Sequence, residues 1–85
     1  MEEKDYLKLA KEFSIKEWNF DIVRPAGEED GWHYFSCTRE GRPHYSSMPL
    51  ALRVNNTTGL VEEVRGDARL MVNSMAYQLE LQSKN

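Results

Sequence analysis

The chain has 85 residues, of which 40% are apolar and 29% charged, and its formal net charge is −3. This length suits a single domain, residues 1–85, with one modest core, and the composition is typical of a globular protein rather than a disordered one. Proteins that bind nucleic acid usually carry a basic excess, so the acidic balance predicts that nucleic acid is not a partner. The single cysteine, Cys37, excludes an intramolecular disulfide.

No segment of the sequence resembles a membrane or export signal. The chain has no stretch near the roughly 18 apolar residues that a membrane span needs, so no membrane partner is expected. The acidic start, Met1–Asp5, has the character of neither a signal peptide nor a transit peptide. These features together predict a soluble cytoplasmic protein.

The first predicted element is an amphipathic helix over residues 3–17. Four apolar residues recur there at helical spacing: Tyr6, Leu9, Ala10 and Phe13. After Glu17 the apolar pattern changes to a period of two, which indicates a strand. Pro25, Gly27 and the acidic run 28–30 then predict a solvated loop.

The middle of the chain predicts one strand and one ambiguous segment. Residues 31–39 are rich in aromatic residues, which favours a strand. Residues 42–49 contain Pro43 and Pro49, and proline cannot donate a hydrogen bond to a ladder. This segment is therefore expected to be an edge strand or a loop.

Residues 50–65 predict a β-hairpin. Leu50, Leu52 and Val54 alternate with less apolar residues, which is the pattern of a strand with one buried face. Residues 57–59 are expected to form a three-residue turn in which Gly59 takes a positive φ. The alternation resumes at Leu60, Glu62 and Val64, and this register places Arg53 opposite Glu63 as a cross-strand ion pair.

A second helix is predicted after Gly66, with Asp67 as its N-cap. Its expected core stripe consists of Ala68, Met71, Val72, Met75 and Leu79. Met75 and Leu79 are therefore expected to be buried against the sheet. Leu70, Tyr77 and Leu81 lie partly outside that stripe and add to the case for a partner surface. A homodimer is also left open.

The order of elements predicts an α+β fold. We expect an antiparallel meander of about four strands, with an N-terminal and a C-terminal helix packed on one face. One face of such a sheet is normally covered while the other can meet water.

The histidines and the cysteine offer little for catalysis or metal binding. On a strand, His33 and Cys37 share a face, and with His44 they could form a nucleophile–base pair or part of a zinc site. The chain has neither a Cys-x-x-Cys nor a His-x-x-x-His spacing. We therefore expect Cys37 to be a core residue and predict no catalytic residue, metal or cofactor, with an enzyme built on Cys37 and His33 as a minor alternative.

Aromatic residues are the best candidates for function. The candidates for a partner surface are Trp18, Trp32, Tyr34, Tyr45 and Tyr77. On an open sheet face they would form a surface of the kind enriched at protein interfaces. The predicted partner-binding residues are Trp32, Tyr34, Tyr45 and Arg53, and the predicted partner is another protein.

An alternative function uses the arginines in the sheet half of the chain: Arg39, Arg42, Arg53 and Arg65. On one face they could bind a small carboxylate or phosphate ligand. The competing interpretation is that they lie on solvent-facing positions and are balanced by nearby glutamates.

The hairpin segment Asn55–Val61, with its Thr-Gly turn, resembles two groups of small domains. One is the PepSY-like family, in which the hairpin follows an N-terminal helix. The other is the YrhB-like, immunity-type family, in which an aromatic strand precedes the hairpin and a short helix follows it. Residues 32–35, the hairpin and the helix from Asp67 come in the second order. The resemblance implies a non-catalytic α+β domain, and its immunity-type branch implies a protein partner.

Overall fold

The structure, a computed structural model, describes residues 2–40 and 49–83. Within these residues it contains two helices and four strands: α1 (Glu3–Trp18), β1 (Ile22–Glu29), β2 (Trp32–Thr38), β3 (Leu50–Asn55), β4 (Val61–Val64) and α2 (Gly66–Ser83). The strands form one antiparallel sheet in the order β1-β2-β3-β4. The predicted α+β class and four-stranded meander are confirmed, whereas most of the ambiguous segment 42–49 lies outside the described residues.

Helix α1 has defined signals at both ends. At its start, the Asp5 side chain accepts from the Glu2 backbone N–H and the Glu2 side chain accepts from the Asp5 backbone N–H, an arrangement that satisfies free amides of the first turn. It ends at Asn19, which takes the left-handed conformation with φ 57°. The buried residues Tyr6, Ala10 and Ser14 follow one another at intervals of four and face the sheet.

Strand β1 extends further than the sequence predicted, so the prediction of a loop at Pro25 and Gly27 is wrong. Pro25 fits because β1 is an edge strand, where one side of the ladder needs no donors. The pairing with β2 shifts register between Pro25 and Gly27, which places a bulge at Ala26. The turn itself is made by Asp30 and Gly31, which both have positive φ.

The β3–β4 hairpin forms as predicted, with one change in its loop. Gly59 has φ 77°, which confirms its left-handed conformation. The Asn55 backbone N–H donates to the Leu60 carbonyl at 2.8 Å, so four residues rather than three lie in the loop. The extra residue moves the register by one, and Arg53 therefore pairs with Glu62 and not with Glu63.

The sheet separates two cores, because alternate residues of a strand point to opposite faces. On the face that α1 covers, here called the α1 face, the buried strand residues are Phe35, Cys37, Leu52 and Val54, and they cluster with the α1 residues Tyr6 and Ala10. On the opposite face, the α2 face, Ala26, Ala51 and Val64 cluster with the α2 residues Val72 and Ala76.

The prediction that both helices pack on one face is therefore wrong. Ala51 lies between Leu50 and Leu52 on β3, so it points away from α1, and it is fully buried by α2. An alanine-lined sheet face has no large apolar side chains to mark it in the sequence. Such a face can nevertheless be covered, because small side chains allow a helix to approach closely.

The predicted core stripe of α2 is only partly correct. Of the five predicted residues, Val72 is buried and Met75 is half-buried, but Ala68 is exposed and Met71 and Leu79 are 62% and 41% exposed. Ala76, which was not predicted for the core, is buried. Asp67 lies inside the first turn rather than at the N-cap, since α2 begins at Gly66.

Polar contacts fix the rotation of α2 about its axis. Ser36 Oγ donates to Asn73 Oδ1 at 2.7 Å, and Asn73 Nδ2 donates to the Pro49 carbonyl at 2.8 Å. Near the other end of the helix, Arg24 Nε lies 3.2 Å from the Glu80 carboxylate. These contacts turn Asn73 and Glu80 toward the sheet side and leave Met71 outside.

Candidate functional site

The candidate site lies on the α2 face, at the end that α2 does not cover. Helix α2 packs over Ala51 of β3 and Val64 of β4. Arg53 and Glu62 lie on the same face and pair with each other. Arg53 is two residues from Ala51, and Glu62 is two residues from Val64, which in a strand is a distance of about 7 Å. Both side chains keep part of their surface in solvent, with exposed fractions of 34% and 42%.

Two aromatic side chains of β2 flank Arg53. Its guanidinium carbon lies 3.8 Å from the centre of the Trp32 ring, a cation–π contact. Tyr34 lies directly opposite Arg53 in the β2–β3 ladder, and Arg53 Nη1 donates to the Tyr34 hydroxyl at 3.5 Å. We call Trp32, Tyr34, Arg53 and Glu62 together the Trp–Arg patch.

Glu62 fixes the guanidinium from the β4 side. Arg53 Nε and Nη2 both donate to Glu62 Oε1, at 3.0 Å and 2.7 Å. The hydrogen bonds with Tyr34 and Glu62 raise the pKa of Arg53, so the side chain remains charged. The charge of the pair sums to zero, and the guanidinium lies over the Trp32 ring with hydrogen bonds to Glu62 and to the Tyr34 hydroxyl.

The structure brings together three of the four predicted partner-binding residues. Trp32, Tyr34 and Arg53 are adjacent, whereas Tyr45 lies outside the described residues. The sequence analysis missed Glu62 because it assigned one residue too few to the hairpin loop. The Asn55 side chain gave a signal for the longer loop: its Oδ1 accepts from the backbone N–H groups of Thr57 and Thr58, as asparagine does at the start of a turn.

The other described arginines of this set are Arg39 and Arg65. Arg65 Nη2 lies 3.1 Å from Glu63, and hydrogen bonding to this carboxylate raises the pKa of Arg65. Arg39 is exposed beyond the end of β2, and Arg42 lies outside the described residues. Arg53 and Arg65 thus pair with two different glutamates.

Cys37 and His33 share the α1 face, as expected, but they do not form a pair. They are four positions apart along β2, which corresponds to about 13 Å. Cys37 is fully buried, and burial raises the pKa of its thiol to about 11, against a smaller lowering effect of the Ser14 hydroxyl. His33 stacks on the Tyr6 ring at 4.0 Å, and His44 lies outside the described residues.

A shallow groove adjoins the patch at the edge of the sheet. It has a volume of about 500 Å³ and is bordered by Tyr34, Pro25 and Leu79, among others. Tyr34 thus belongs both to the Trp–Arg patch and to the wall of this groove. Its lining also includes Glu3, His33 and Phe35 of the α1 side, so the groove crosses the edge of the sheet and contacts the patch at Tyr34.

Within residues 2–40 and 49–83, no group of His, Cys, Asp or Glu side chains is arranged to hold a metal ion. Neither helix in this part of the chain has both the length and the apolar character that crossing a membrane requires.

Comparisons with protein-family models, with curated proteins and with solved structures found no match to this chain. The resemblance to the YrhB-like and PepSY-like domains therefore stays a prediction.

Proposed function

We propose that the protein is a non-catalytic binding module that captures another protein through the Trp–Arg patch. The observation that carries this proposal is the fixed position of Arg53 beside Trp32 and Tyr34. Tryptophan, tyrosine and arginine are the residue types that most often carry the energy of protein interfaces. Because Glu62 already orients the guanidinium, little side-chain entropy is lost when a partner binds.

The form of the surface suits a protein partner better than a small molecule. The patch is half-exposed and extends along three neighbouring strands, and the groove beside Tyr34 offers a recess for a partner side chain. The immunity-type resemblance favours a finer form of the proposal, in which the module inhibits its partner by covering a functional surface. A cytoplasmic location fits this role.

The alternative proposal, binding of a small anion through the arginine-bearing face, has less support. Arg53 and Arg65 each lie within 3.1 Å of a carboxylate oxygen, which reduces the attraction for a free anion. An anion would have to displace Glu62 before it could reach the Arg53 guanidinium from that side.

Substitution of Trp32 tests the proposal. With the immobilised protein as bait, we expect Trp32→Ala to lower capture of the native partner from host extract at least tenfold, because hot-spot truncations cost about 2 kcal/mol or more. Arg53→Ala is expected to have a similar effect. The matched control is Ile15→Ala, which removes an exposed apolar side chain from α1, away from the patch. Circular dichroism and thermal melting verify that each variant folds.

Equal capture by wild-type protein, Trp32→Ala and Arg53→Ala would contradict the proposal. A separate variant tests the enzyme alternative, which would require the Cys37 thiol. We expect Cys37→Ser to leave function unchanged. Loss of function in Cys37→Ser, with an unaltered fold, would favour the enzyme alternative instead.

A further inference from the structure

The outward face of α2 is a second apolar surface, separate from the Trp–Arg patch. Five large apolar residues of the helix are more than two-fifths exposed: Leu70 44%, Met71 62%, Tyr77 59%, Leu79 41% and Leu81 42%. Leu79 borders the groove at the β1 edge, but the other four lie on the side away from the buried Val72 and Ala76.

This face is also free of charge. Between Leu70 and Ser83 the helix has one charged residue, Glu80, and its carboxylate lies 3.2 Å from Arg24 of the sheet. Helix α1 is different, since its outward positions include Lys8, Lys11 and Glu12. A solvated helix face in a small domain normally carries such charges, so the outer face of α2 has the composition of a surface that is covered.

The spacing of the exposed residues indicates what covers it. Leu70, Ser74, Tyr77 and Leu81 follow one another at intervals of four, three and four residues, which is the a/d spacing along which two helices pack. The spacing, and the leucine at each end, are the same in both directions. A helix with such a seam is complementary to its own copy when the two run antiparallel, and a two-fold axis then crosses between residues 75 and 76.

We propose that two copies of this chain associate through the outer faces of their α2 helices, antiparallel, about this axis. Leu70 of one copy then meets Leu81 of the other at both ends of the interface. In the middle, Ser74 of one copy meets Tyr77 of the other, so a small side chain lies opposite a large one, as close packing requires. Met71, beside the seam, adds apolar surface.

The size and charge of the face indicate what kind of contact a second copy would make. The 18 residues of α2 span about 27 Å, so a strip about 10 Å wide covers roughly 270 Å² per chain, or about 540 Å² in total. This is smaller than a standard specific interface, so the expected association is weak and needs a high protein concentration. Copies with a net charge of −3 repel each other, and the uncharged face of α2 is where they can approach with the least repulsion. The association is therefore reversible and leaves both Trp–Arg patches accessible.

Sedimentation velocity over a range of concentrations tests the proposal with the full chain. Wild-type protein is expected to shift from monomer to dimer as its concentration rises. Leu70→Lys and Leu81→Glu are each expected to raise the dimer dissociation constant at least tenfold. The matched control is Ile15→Glu, which places a charge at an exposed apolar position of α1 and is expected to leave association unchanged.

The double variant with Leu70→Lys and Leu81→Glu identifies the antiparallel register. In that register each new lysine faces a new glutamate of the other copy, so the double variant is expected to associate at least tenfold more tightly than either single variant. In a parallel pair the like charges would face each other and the loss would increase.

Three outcomes would overturn the proposal. They are a wild-type protein that stays monomeric throughout, a double variant weaker than both single variants, and an effect of Ile15→Glu equal to that of Leu81→Glu. Because the readout is the mass of the protein alone, it is independent of whether the Trp–Arg patch captures a partner.

Discussion

The two faces of the sheet use the same strands but are closed by different kinds of side chain. The α1 face buries the large residues Phe35, Leu52 and Val54 under α1. The α2 face buries Ala26 and Ala51, together with other small residues, under α2. A fully buried Leu or Phe side chain contributes about 1.5–3 kcal/mol through burial, whereas alanine contributes far less. Most of the hydrophobic stabilisation therefore lies on the α1 face.

The α1 face therefore provides most of the stability, whereas the α2 face carries the side chains proposed for recognition. The α1 face uses its large side chains within the core. On the α2 face, helix α2 covers the row that contains Ala51 and leaves the next row, with Tyr34, Arg53 and Glu62, half-exposed. The two proposed binding surfaces, the Trp–Arg patch and the outer face of α2, both belong to this more lightly packed side of the molecule.

Two truncations, one on each face of the sheet, are expected to show the largest difference in stability. Leu52 is fully buried on the α1 face, and Leu52→Ala is expected to lower the free energy of unfolding by about 2–5 kcal/mol through lost burial and a cavity. Val72→Ala, on the α2 face, is expected to cost about 1–2 kcal/mol, since it removes two methyl-sized groups. Urea denaturation with an unchanged m-value measures both. A larger loss for Val72→Ala would reverse our assignment of the main core.

The pH dependence of stability tests the α1 face in a second way. Burial raises the pKa of Cys37 to about 11 from an ordinary value of 9.0. The unfolded chain therefore loses this proton first, so the stabilisation is complete below pH 9 and is lost as the pH rises toward 11. The loss is expected to reach about 2–3 kcal/mol.

Cys37→Ala is the matched control for that experiment, since lysines and tyrosines also titrate in this range. Its stability should fall less steeply with pH than that of the wild-type protein over the same interval. Equal slopes would mean that the thiol is not held in its neutral form by the core.

The α1 face could be predicted from the sequence because its residues are large. Leu50, Leu52 and Val54 alternate with smaller or polar residues, and this contrast correctly indicated one buried face of the sheet. Three of the four predicted partner-binding residues also lie together, because Trp32 and Tyr34 share a strand face and pair across to β3. These inferences depend on a period of two, which a strand imposes on any sequence.

The α2 face could not be predicted in the same way. Ala26, Ala51 and Ala76 give no hydrophobic contrast, so the second core was not recognised and both helices were assigned to one face. In α2 the helical stripe predicts Met71, Val72 and Leu79 for the core. Of these only Val72 is buried, together with Ala76, because small side chains fit an alanine-lined sheet. The sequence predicts Glu63 opposite Arg53, whereas Glu62 lies there. The hairpin loop has one more residue than predicted, and this shifts the pairing by one.

Leu79 gives the smallest and sharpest test of how lightly α2 is held. The helical stripe in the sequence places this residue in the core, where Leu79→Ala would cost 2–5 kcal/mol. The structure leaves it 41% exposed at the edge of a groove, so truncation removes little buried surface and creates no closed cavity. Alanine is also the better helix former, which offsets part of the loss. We therefore expect Leu79→Ala to lower the free energy of unfolding by less than about 1 kcal/mol in urea denaturation. A loss above about 2 kcal/mol would mean that the C-terminal half of α2 is packed as tightly as α1, and the difference between the two faces would then disappear.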